Sequence, residues 1–296
     1  MATIGFIGLG NLGGPMCRKI IEHSGHEVLV FDLSPAAMDA CTAVGGVAAA
    51  SLADLASRSS LILSSLPMPK DVEAVTLGPG GIGESAKAGT DYIDLTTNSP
   101  LVARRVAEGL QAKGIHMIDA PVSGGVIAVE KRTLAIMAGG DKAVLDRHLP
   151  VLQCLGDNII HVGELGAGCV AKLINNMVAF CNMAAGAEGL MLGALAGVNM
   201  DTLNQVIRNS SGNSLGYRYV AQKSMSGDYK PTFTTDLAYK DMHLALELAD
   251  ELGMPLALSP QVHNLMRMVR GLGEGGSDVT AMMRVYEHVL GRTVRD

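Results

Sequence analysis

The chain has 296 residues, of which 48% are hydrophobic and 18% are charged, and its mean hydropathy is +0.27. This length exceeds the usual size of one domain, and the apolar share predicts a large core together with buried subunit surface. A formal net charge of −6, an aromatic share of 3% and the lack of a basic stripe argue against a nucleic-acid partner.

The cysteines and histidines also narrow the class of protein. Five cysteines are scattered along the chain without a CxxC pair, which is typical of reduced thiols and predicts a cytoplasmic protein. Eight histidines show no metal-ligand spacing such as HExxH, so no metal is expected. The apolar N-terminal segment has no preceding basic region and no cleavage-like end, which favours a strand over a signal peptide.

The first motif is a glycine-rich turn between a predicted strand and a predicted helix. Residues 3–7 form an apolar run typical of a buried strand, and an amphipathic run then extends to His23. Between them, Gly8, Gly10 and Gly13 have the spacing GxGxxG. In a dinucleotide-binding turn these glycines permit the tight bend, the approach of a pyrophosphate and close helix–strand packing. The N-terminus of the helix would offer amides and a positive dipole end to the phosphates.

A second predicted strand, 27–31, ends at Asp32. An acid at this distance from the glycine turn can accept hydrogen bonds from the adenosine ribose, and its charge would repel a 2′-phosphate. NAD is therefore the predicted cofactor. NADP remains possible, since Arg58 or Lys70 could approach from elsewhere.

Further predicted strands then alternate with helices. They are 61–67, 92–95 and 115–119, with 133–138 and 159–162 as additions at the edge of the sheet. Such alternation predicts an α/β fold with a doubly wound, mostly parallel Rossmann sheet. After Gly163 the pattern becomes helical, so we predict a dinucleotide-binding domain over 1–163 and an all-helical substrate and oligomerisation domain over 164–296.

The helical region begins with a long apolar run, 168–195. Residues 177–200 are apolar on nearly every side, which raises the question of a membrane span. Asn182, Glu188 and the lack of aromatic anchors favour instead a helix buried between domains or subunits, with no membrane partner. We therefore expect a homodimer or homotetramer in contact through the helical domains.

Two loops carry residue types suited to chemistry. The segment 119–125, DAPVSGG, follows a strand, and its Ser123 hydroxyl and the amides of Gly124 and Gly125 could form a nest for a carboxylate, although an ordinary turn is also possible. The segment 96–99, TTNS, precedes a helix, where its hydroxyls could cap the helix or touch a cofactor.

Lys172 and Asn176 share one face of the long helix because they are one helical turn apart. A lysine on such an apolar helix is costly to bury unless it has a partner or a task, and burial makes a lysine usable as an acid or base. The alternatives are a snorkelling surface lysine and Asn175 as the inward amide. A later run, 236–241, reads by default as an exposed helical charge pair.

Four motifs, GFIGLGNLGGPM, DAPVSGG, GAGCVAKLINNM and LAYKD, occur in this order. Their order and spacing resemble those of the β-hydroxyacid dehydrogenases over essentially the whole chain. The resemblance implies a Rossmann domain, an all-helical domain joined by a long interdomain helix, and a site between them. It also implies that Lys172 is the general acid/base, that Asn176 holds the reacting oxygen, and that Ser123, Gly124 and Gly125 take a substrate carboxylate.

The resemblance further implies a set of residues that line the cofactor. These are Gly8, Gly10, Asn11, Leu12, Gly13, Asp32, Leu66, Pro67, Thr97 and Lys240. Leu12 replaces the methionine usual in the family's glycine loop, a volume-conserving change. The segment 210–218 matches no particular substrate subgroup, so the individual substrate stays open.

The predicted function is hydride transfer between NAD(H) and a small carboxylate, interconverting a short 3-hydroxy acid and its semialdehyde. One alternative is an NADPH-dependent reductase of the tartronate or succinic semialdehyde type, which Asp32 disfavours. An imine reductase is disfavoured because such relatives typically lack the lysine at 172. A non-catalytic ligand-binding relative is disfavoured by the intact set of Lys172, Asn176 and Ser123.

Overall fold

The computed structural model describes residues 2–295. These residues form two compact units, one ending at Lys172 and the other beginning at Leu173. The sequence places the domain boundary at Glu164, directly after the last strand. In the structure the division falls within the helix that follows, α9 (Ala167–Leu195), which therefore belongs to both units.

The first unit is built on one sheet, in which nine strands pair among the described residues. They are β1 (Thr3–Ile7), β2 (Glu27–Phe31), β3 (Val47–Ala48), β4 (Leu61–Ser64), β5 (Asp91–Asp94), β6 (His116–Asp119), β7 (Val122–Ser123), β8 (Ala135–Gly139) and β9 (Asn158–Gly163). The strand order is β3-β2-β1-β4-β5-β6-β8-β7, with β9 beside β8. All pairs from β3 to β6 are parallel, which confirms the predicted doubly wound sheet.

The far edge of the sheet departs from the parallel pattern. Strand β8 runs antiparallel to both β6 and β7, and β9 then pairs parallel to β8. From sequence, β7 is predicted to be part of a loop, because two residues are too few to show strand periodicity. Its strand character comes from pairing with β8, where Val122 lies opposite Ile136.

Helices cover both faces of this sheet. They are α1 (Gly13–His23), α2 (Pro35–Thr42), α3 (Leu52–Arg58), α4 (Pro69–Leu77), α5 (Ile82–Ser85), α6 (Pro100–Gln111), α7 (Gly125–Glu130) and α8 (Lys142–Leu152). Successive strand residues point to opposite faces, so Val28 and Val30 of β2 join one apolar core while Leu29 joins the other. This packing fixes the strand ends that carry the polar residues described below.

Helix α9 is long and apolar enough, by length and composition alone, to cross a membrane. The sequence analysis expects it to be buried on every side, yet only 39% of its most apolar window is buried within the chain. Ile174, Val178 and Leu192 are exposed. The chain alone therefore does not cover the helix on every side, and its expected burial between domains or subunits stays a prediction.

The second unit is helical. After α9 it contains α10 (Met200–Arg208), α11 (Leu215–Ser226), α12 (Thr235–Glu251), α13 (Ser259–Gly271), a 3₁₀ turn (Val279–Ala281) and α14 (Met282–Leu290). Residues 164–295 contain no strand, only a single bridge between Thr234 and Asp278. Their core includes the side chains of Phe180, Met242 and Met282. The predicted all-helical C-terminal region agrees with this arrangement.

Candidate active site

The glycine turn after β1 is tightly packed at two of its glycines and open at the third. A Cβ at Gly8 would lie 2.4 Å from the Ser65 carbonyl oxygen, and one at Gly13 would lie 2.1 Å from the Gly8 carbonyl oxygen. Gly8 also has a positive φ of 87°, which favours glycine. At Gly10, by contrast, a Cβ would meet nothing within 4 Å. These surroundings suit the predicted roles: Gly8 lies at the tight bend, Gly10 leaves room for a ligand to approach, and Gly13 packs closely against the strand.

This turn fits the pyrophosphate of a dinucleotide. Gly10 and Asn11 are exposed, and Leu12, at the N-cap position of α1, makes no side-chain capping hydrogen bond. The amides at this helix end are therefore not capped by a local side chain, and the positive end of the helix dipole lies beside open space. Residues 8–13 could hold the phosphates of NAD(P).

Asp32 connects the end of β2 to the glycine turn. Its Oδ2 accepts a hydrogen bond from the Leu9 amide at 2.6 Å, and its Oδ1 accepts one from the Ser34 amide at 2.7 Å. Asp32 is only partly buried, and a carboxylate has further lone pairs for additional donors. Its position suits hydrogen bonds from a ribose.

Two loops at the neighbouring strand ends lie beside the glycine turn. The Leu66 amide donates to Thr96 Oγ1 at 3.0 Å, which joins the loop after β4 to the loop after β5. A Cβ at Gly8 would also lie 2.9 Å from Leu66 Cδ2. Leu66 and Thr97 are partly buried and Pro67 is exposed, so the structure places the three predicted cofactor contacts in these two joined loops.

A buried carboxylate that the sequence analysis missed organises the second of these loops. Asp94 Oδ1 accepts hydrogen bonds from Ser64 Oγ and the Thr96 amide, and Oδ2 accepts one from Asn98 Nδ2. Burial raises the pKa of Asp94, although these hydrogen bonds by themselves would lower it. Ser99, at the N-cap of α6, makes no side-chain capping bond, so the hydroxyls of Thr96 and Ser99 do not act as local caps for this helix.

The segment after β6 contains the residues that are predicted to form a carboxylate nest. Ser123 is half-buried, and Gly124 and Gly125 are exposed with positive φ angles of 130° and 67°. A side chain at either position would be strained, so glycine suits both. Consecutive glycines in such conformations can turn their amides toward one anion, which suits a substrate carboxylate.

Lys172 and Asn176 lie on the same face of α9, and both are buried, with 7% and 8% of their surface exposed. Asn175, the alternative inward amide, is exposed, and it donates a hydrogen bond to Asn176 Oδ1 at 3.1 Å. The structure therefore decides between the alternatives for the lysine and for the amide. Lys172 is not a snorkelling surface residue, and Asn176 is the inward amide.

A second carboxylate that the sequence analysis missed holds Asn176. Asn176 Nδ2 donates to Asp241 Oδ2 at 2.7 Å, and Lys240 Nζ lies 3.0 Å from Asp241 Oδ1. The default interpretation of 236–241 as an exposed charge pair is wrong for these two residues, because Asp241 is 1% exposed and the Lys240 side chain 10%. The sequence signal for this carboxylate was its position directly after the lysine of the LAYKD motif. Helix α12 turns the Asp241 side chain toward the core.

Within residues 2–295, no three His, Cys, Asp or Glu side chains lie together in a way that could hold a metal ion.

Comparison with known proteins places the chain in a family. Residues 3–163 match the family model described as the NAD binding domain of 6-phosphogluconate dehydrogenase. Residues 166–286 match the one described as NAD-binding of NADP-dependent 3-hydroxyisobutyrate dehydrogenase.

Individual proteins match over nearly the whole chain. The 2-(hydroxymethyl)glutarate dehydrogenase of Eubacterium barkeri is 39% identical over 98% of this chain and 97% of its own length. The 3-hydroxyisobutyrate dehydrogenase of Pseudomonas aeruginosa is 36% identical over 97% of this chain and 99% of its own. The solved structure of Mycobacterium tuberculosis 3-hydroxyisobutyrate dehydrogenase with L-serine has a TM-score of 0.89 at 31% identity, covering 97% of this chain and 99% of that one.

This chain belongs to the β-hydroxyacid dehydrogenase family. It is an NAD(P)-dependent hydroxy acid dehydrogenase, as the motifs predict. An imine reductase from Myxococcus stipitatus, at 18% identity and a TM-score of 0.67, shares the fold alone. The predicted family, fold class and cofactor type are confirmed, whereas the roles of the individual site residues stay predictions.

Proposed function

We propose that this enzyme oxidises the primary alcohol of a short 3-hydroxy acid to the semialdehyde, with NAD preferred as the hydride acceptor. The observation that carries the proposal is the burial of Lys172 and Asn176 on one face of α9. An amine can accept or return a proton and an amide can hold an oxygen in place, so these two side chains together suit a reacting alcohol. Asp241 fixes the amide through its hydrogen bond from Asn176 Nδ2.

The relatives suggest one chemical class of substrate. The names 3-hydroxyisobutyrate and 2-(hydroxymethyl)glutarate, and the L-serine in the solved relative, all describe a carboxylate whose α-carbon carries a hydroxymethyl group. We propose the same class, HOCH₂–CHR–COO⁻, for this chain. The nest at Ser123, Gly124 and Gly125 would take the carboxylate.

The chain's own task in this reaction is to manage the proton. A bound nicotinamide would supply the hydride acceptor. Lys172, as the neutral amine, would accept the hydroxyl proton as the carbon is oxidised, and as the ammonium it would return that proton in reduction. Asn176, held by Asp241, would keep the oxygen in place.

Turnover on a matched panel tests this proposal. The panel contains 3-hydroxyisobutyrate, L-serine and 2-(hydroxymethyl)glutarate, each with NAD and with NADP, and lactate as the control that lacks a hydroxymethyl group. We expect kcat/KM for at least one panel member to exceed that for lactate by about a hundredfold or more, since misplacing the reacting carbon loses the benefit of orientation. Comparable use of lactate would refute the substrate class.

We also propose that the active enzyme is a homo-oligomer in the cytoplasm. The oligomer is supported by exposed apolar side chains in the helical unit, among them Leu192 on α9, Val206 on α10 and Leu215 at the start of α11. We infer that these side chains contact another subunit, which would remove their apolar surface from water. All five cysteines are free, which suits a reducing compartment. Sedimentation that finds only a 30.8 kDa species at micromolar concentration would refute the oligomer.

A further inference from the structure

Helix α9, which carries Lys172, has no side-chain cap of its own. Its first residue is Ala167, and the preceding position is Gly166, a glycine with a φ of 89°. Glycine has no side chain to accept a hydrogen bond from the free amides of the first turn, as a serine, threonine or aspartate side chain at this position would.

Asp119 supplies the missing cap from the end of β6. Its Oδ1 accepts a hydrogen bond from the Gly166 amide, and its Oδ2 accepts one from the Cys169 amide, both at 2.7 Å. In a capping box these two amides are satisfied by two side chains within the helix itself. Here one fully buried carboxylate from a distant strand satisfies both.

The packing around this carboxylate leaves little freedom for α9 to shift. A Cβ at Gly168 would lie 2.2 Å from the Met137 carbonyl oxygen, and one at Gly139 would lie 2.6 Å from Asp119 Oδ1. Two glycines therefore let the helix approach β6 and β8 at backbone distance. The hydrogen bonds of Asp119 hold the helix at that distance.

The position of Asp119 in the chain gives this contact a functional consequence. Its main chain leads through Pro121 to Ser123, and its side chain holds the helix turn that precedes Lys172. We propose that Asp119 is a positioning residue of the dehydrogenase reaction: it locks the first turn of α9 to the end of β6 and so fixes Lys172 relative to Ser123. This inference rests on the proposed function, since it acts through the lysine.

The charge state of Asp119 agrees with this role. Burial raises its pKa to about 6, while the amides of Cys169 and Gly166 oppose that rise. Asp94, on the neighbouring strand, and Cys169, on α9, are the other titratable groups that act on it. Well above pH 6 the carboxylate is therefore ionised, and both of its oxygens can accept.

Asp119→Asn is the primary test, because it keeps the size of the side chain but turns one acceptor into a donor facing an amide. We expect kcat to fall by about tenfold to a hundredfold, the loss that follows from misplacing a catalytic group by about an ångström. The dissociation constant for NADH should change by less than about twofold, because the substitution displaces the lysine and leaves the glycine turn unchanged. Asp141→Asn is the matched control, since Asp141 caps α8 through the Ala143 amide on the protein surface. It should leave kcat unchanged.

A double-mutant cycle with Lys172→Ala shows whether Asp119 acts through the lysine. The kcat loss caused by Asp119→Asn should largely disappear in the Lys172→Ala background, because there is no amine left to misplace. The same factor in both backgrounds would overturn the positioning role. Near-normal turnover by Lys172→Ala alone would instead refute the proposed function, and the inference with it.

A second variant, Asp119→Ser, keeps the proposal testable in the event that Asp119→Asn does not fold. Should Asp119→Asn lose NADH binding, the cycle is repeated with Asp119→Ser, whose hydroxyl can still accept one hydrogen bond. Loss of NADH binding in both variants would overturn the proposal, because Asp119 would then be required for folding of the whole unit rather than for placing Lys172.

Discussion

Asn176 donates a hydrogen bond to Asp241 across 2.7 Å between Nδ2 and Oδ2, and both residues are buried. The other carboxylate oxygen of Asp241 lies 3.0 Å from Lys240 Nζ. The buried carboxylate of Asp241 on α12 therefore orients both the Asn176 amide of α9 and the ammonium of the adjacent Lys240. Two of the predicted site residues depend on an acid that the sequence analysis did not single out.

Replacing Asp241 with asparagine should weaken both interactions. The neutral amide keeps one acceptor but removes the charge beside Lys240, so we expect the free energy of unfolding to fall by about 1–3 kcal/mol, the usual loss for a hydrogen bond to a charged group. Urea unfolding measures the change. Asp250→Asn, at an exposed carboxylate on the same helix, is the control and should stay within about 0.5 kcal/mol of the wild type. Equal effects of the two variants would contradict the role assigned to Asp241.

Lys172→Ala should separate catalysis from cofactor binding. We expect kcat to fall by about 10²–10⁴, the usual size of a general acid/base contribution, while the dissociation constant for NADH stays within about twofold. Steady-state kinetics and the fluorescence of bound NADH measure the two quantities. Lys142→Ala, at an exposed lysine on α8, should behave as the wild type. A fully active Lys172→Ala enzyme would show that the buried amine has no part in proton transfer.

Asp32 should set the cofactor preference. Its carboxylate is held beside the glycine turn by the Leu9 amide, where it would accept from a ribose and repel a 2′-phosphate. We expect kcat/KM with NAD to exceed that with NADP by at least about tenfold, or roughly 1.4 kcal/mol. Asp32→Ser should narrow or reverse this ratio, whereas Asp39→Ser, at an exposed acid on α2, should not. Equal use of both cofactors by the wild type would contradict the prediction.

His263 should make the stability of the helical unit depend on pH. Burial, followed by the positive charges of His243, Arg267 and Arg270, lowers the pKa of His263 to about 4. The folded state therefore binds fewer protons than the unfolded chain, in which a histidine has a pKa near 6.5. The contribution of His263 is present in full above about pH 6.5 and is lost as the pH falls toward 4.

Thermal unfolding at pH 7 and pH 5 tests this dependence. The loss of stability between the two pH values should be smaller in His263→Phe than in the wild type, because phenylalanine can still stack on Tyr239, whose ring lies 4.1 Å away, and takes up no proton. His288→Phe replaces an exposed histidine of α14 and should keep the wild-type dependence. An unchanged pH dependence in His263→Phe would show that other groups cause it.

Local patterns in the sequence were sufficient for the dinucleotide turn and most of the sheet. The spacing of Gly8, Gly10 and Gly13 predicts the bend, because the apolar strand, the glycines and the amphipathic helix follow one another directly in the chain. The long strands were recognisable because a buried parallel strand is a continuous apolar run. Lys172 and Asn176 could be paired because helical periodicity relates residues one turn apart.

Tertiary structure decided which polar side chains hold these elements in place. Asp119 accepts a hydrogen bond from the amide of Gly166, which lies 47 residues later in the chain and directly before α9. Asp241 holds the side-chain amide of a residue 65 positions before it. The strand character of β7 likewise depends on its pairing with β8. Burial and hydrogen-bond partners of this kind arise only when distant segments pack together, so no local pattern of residues could predict them.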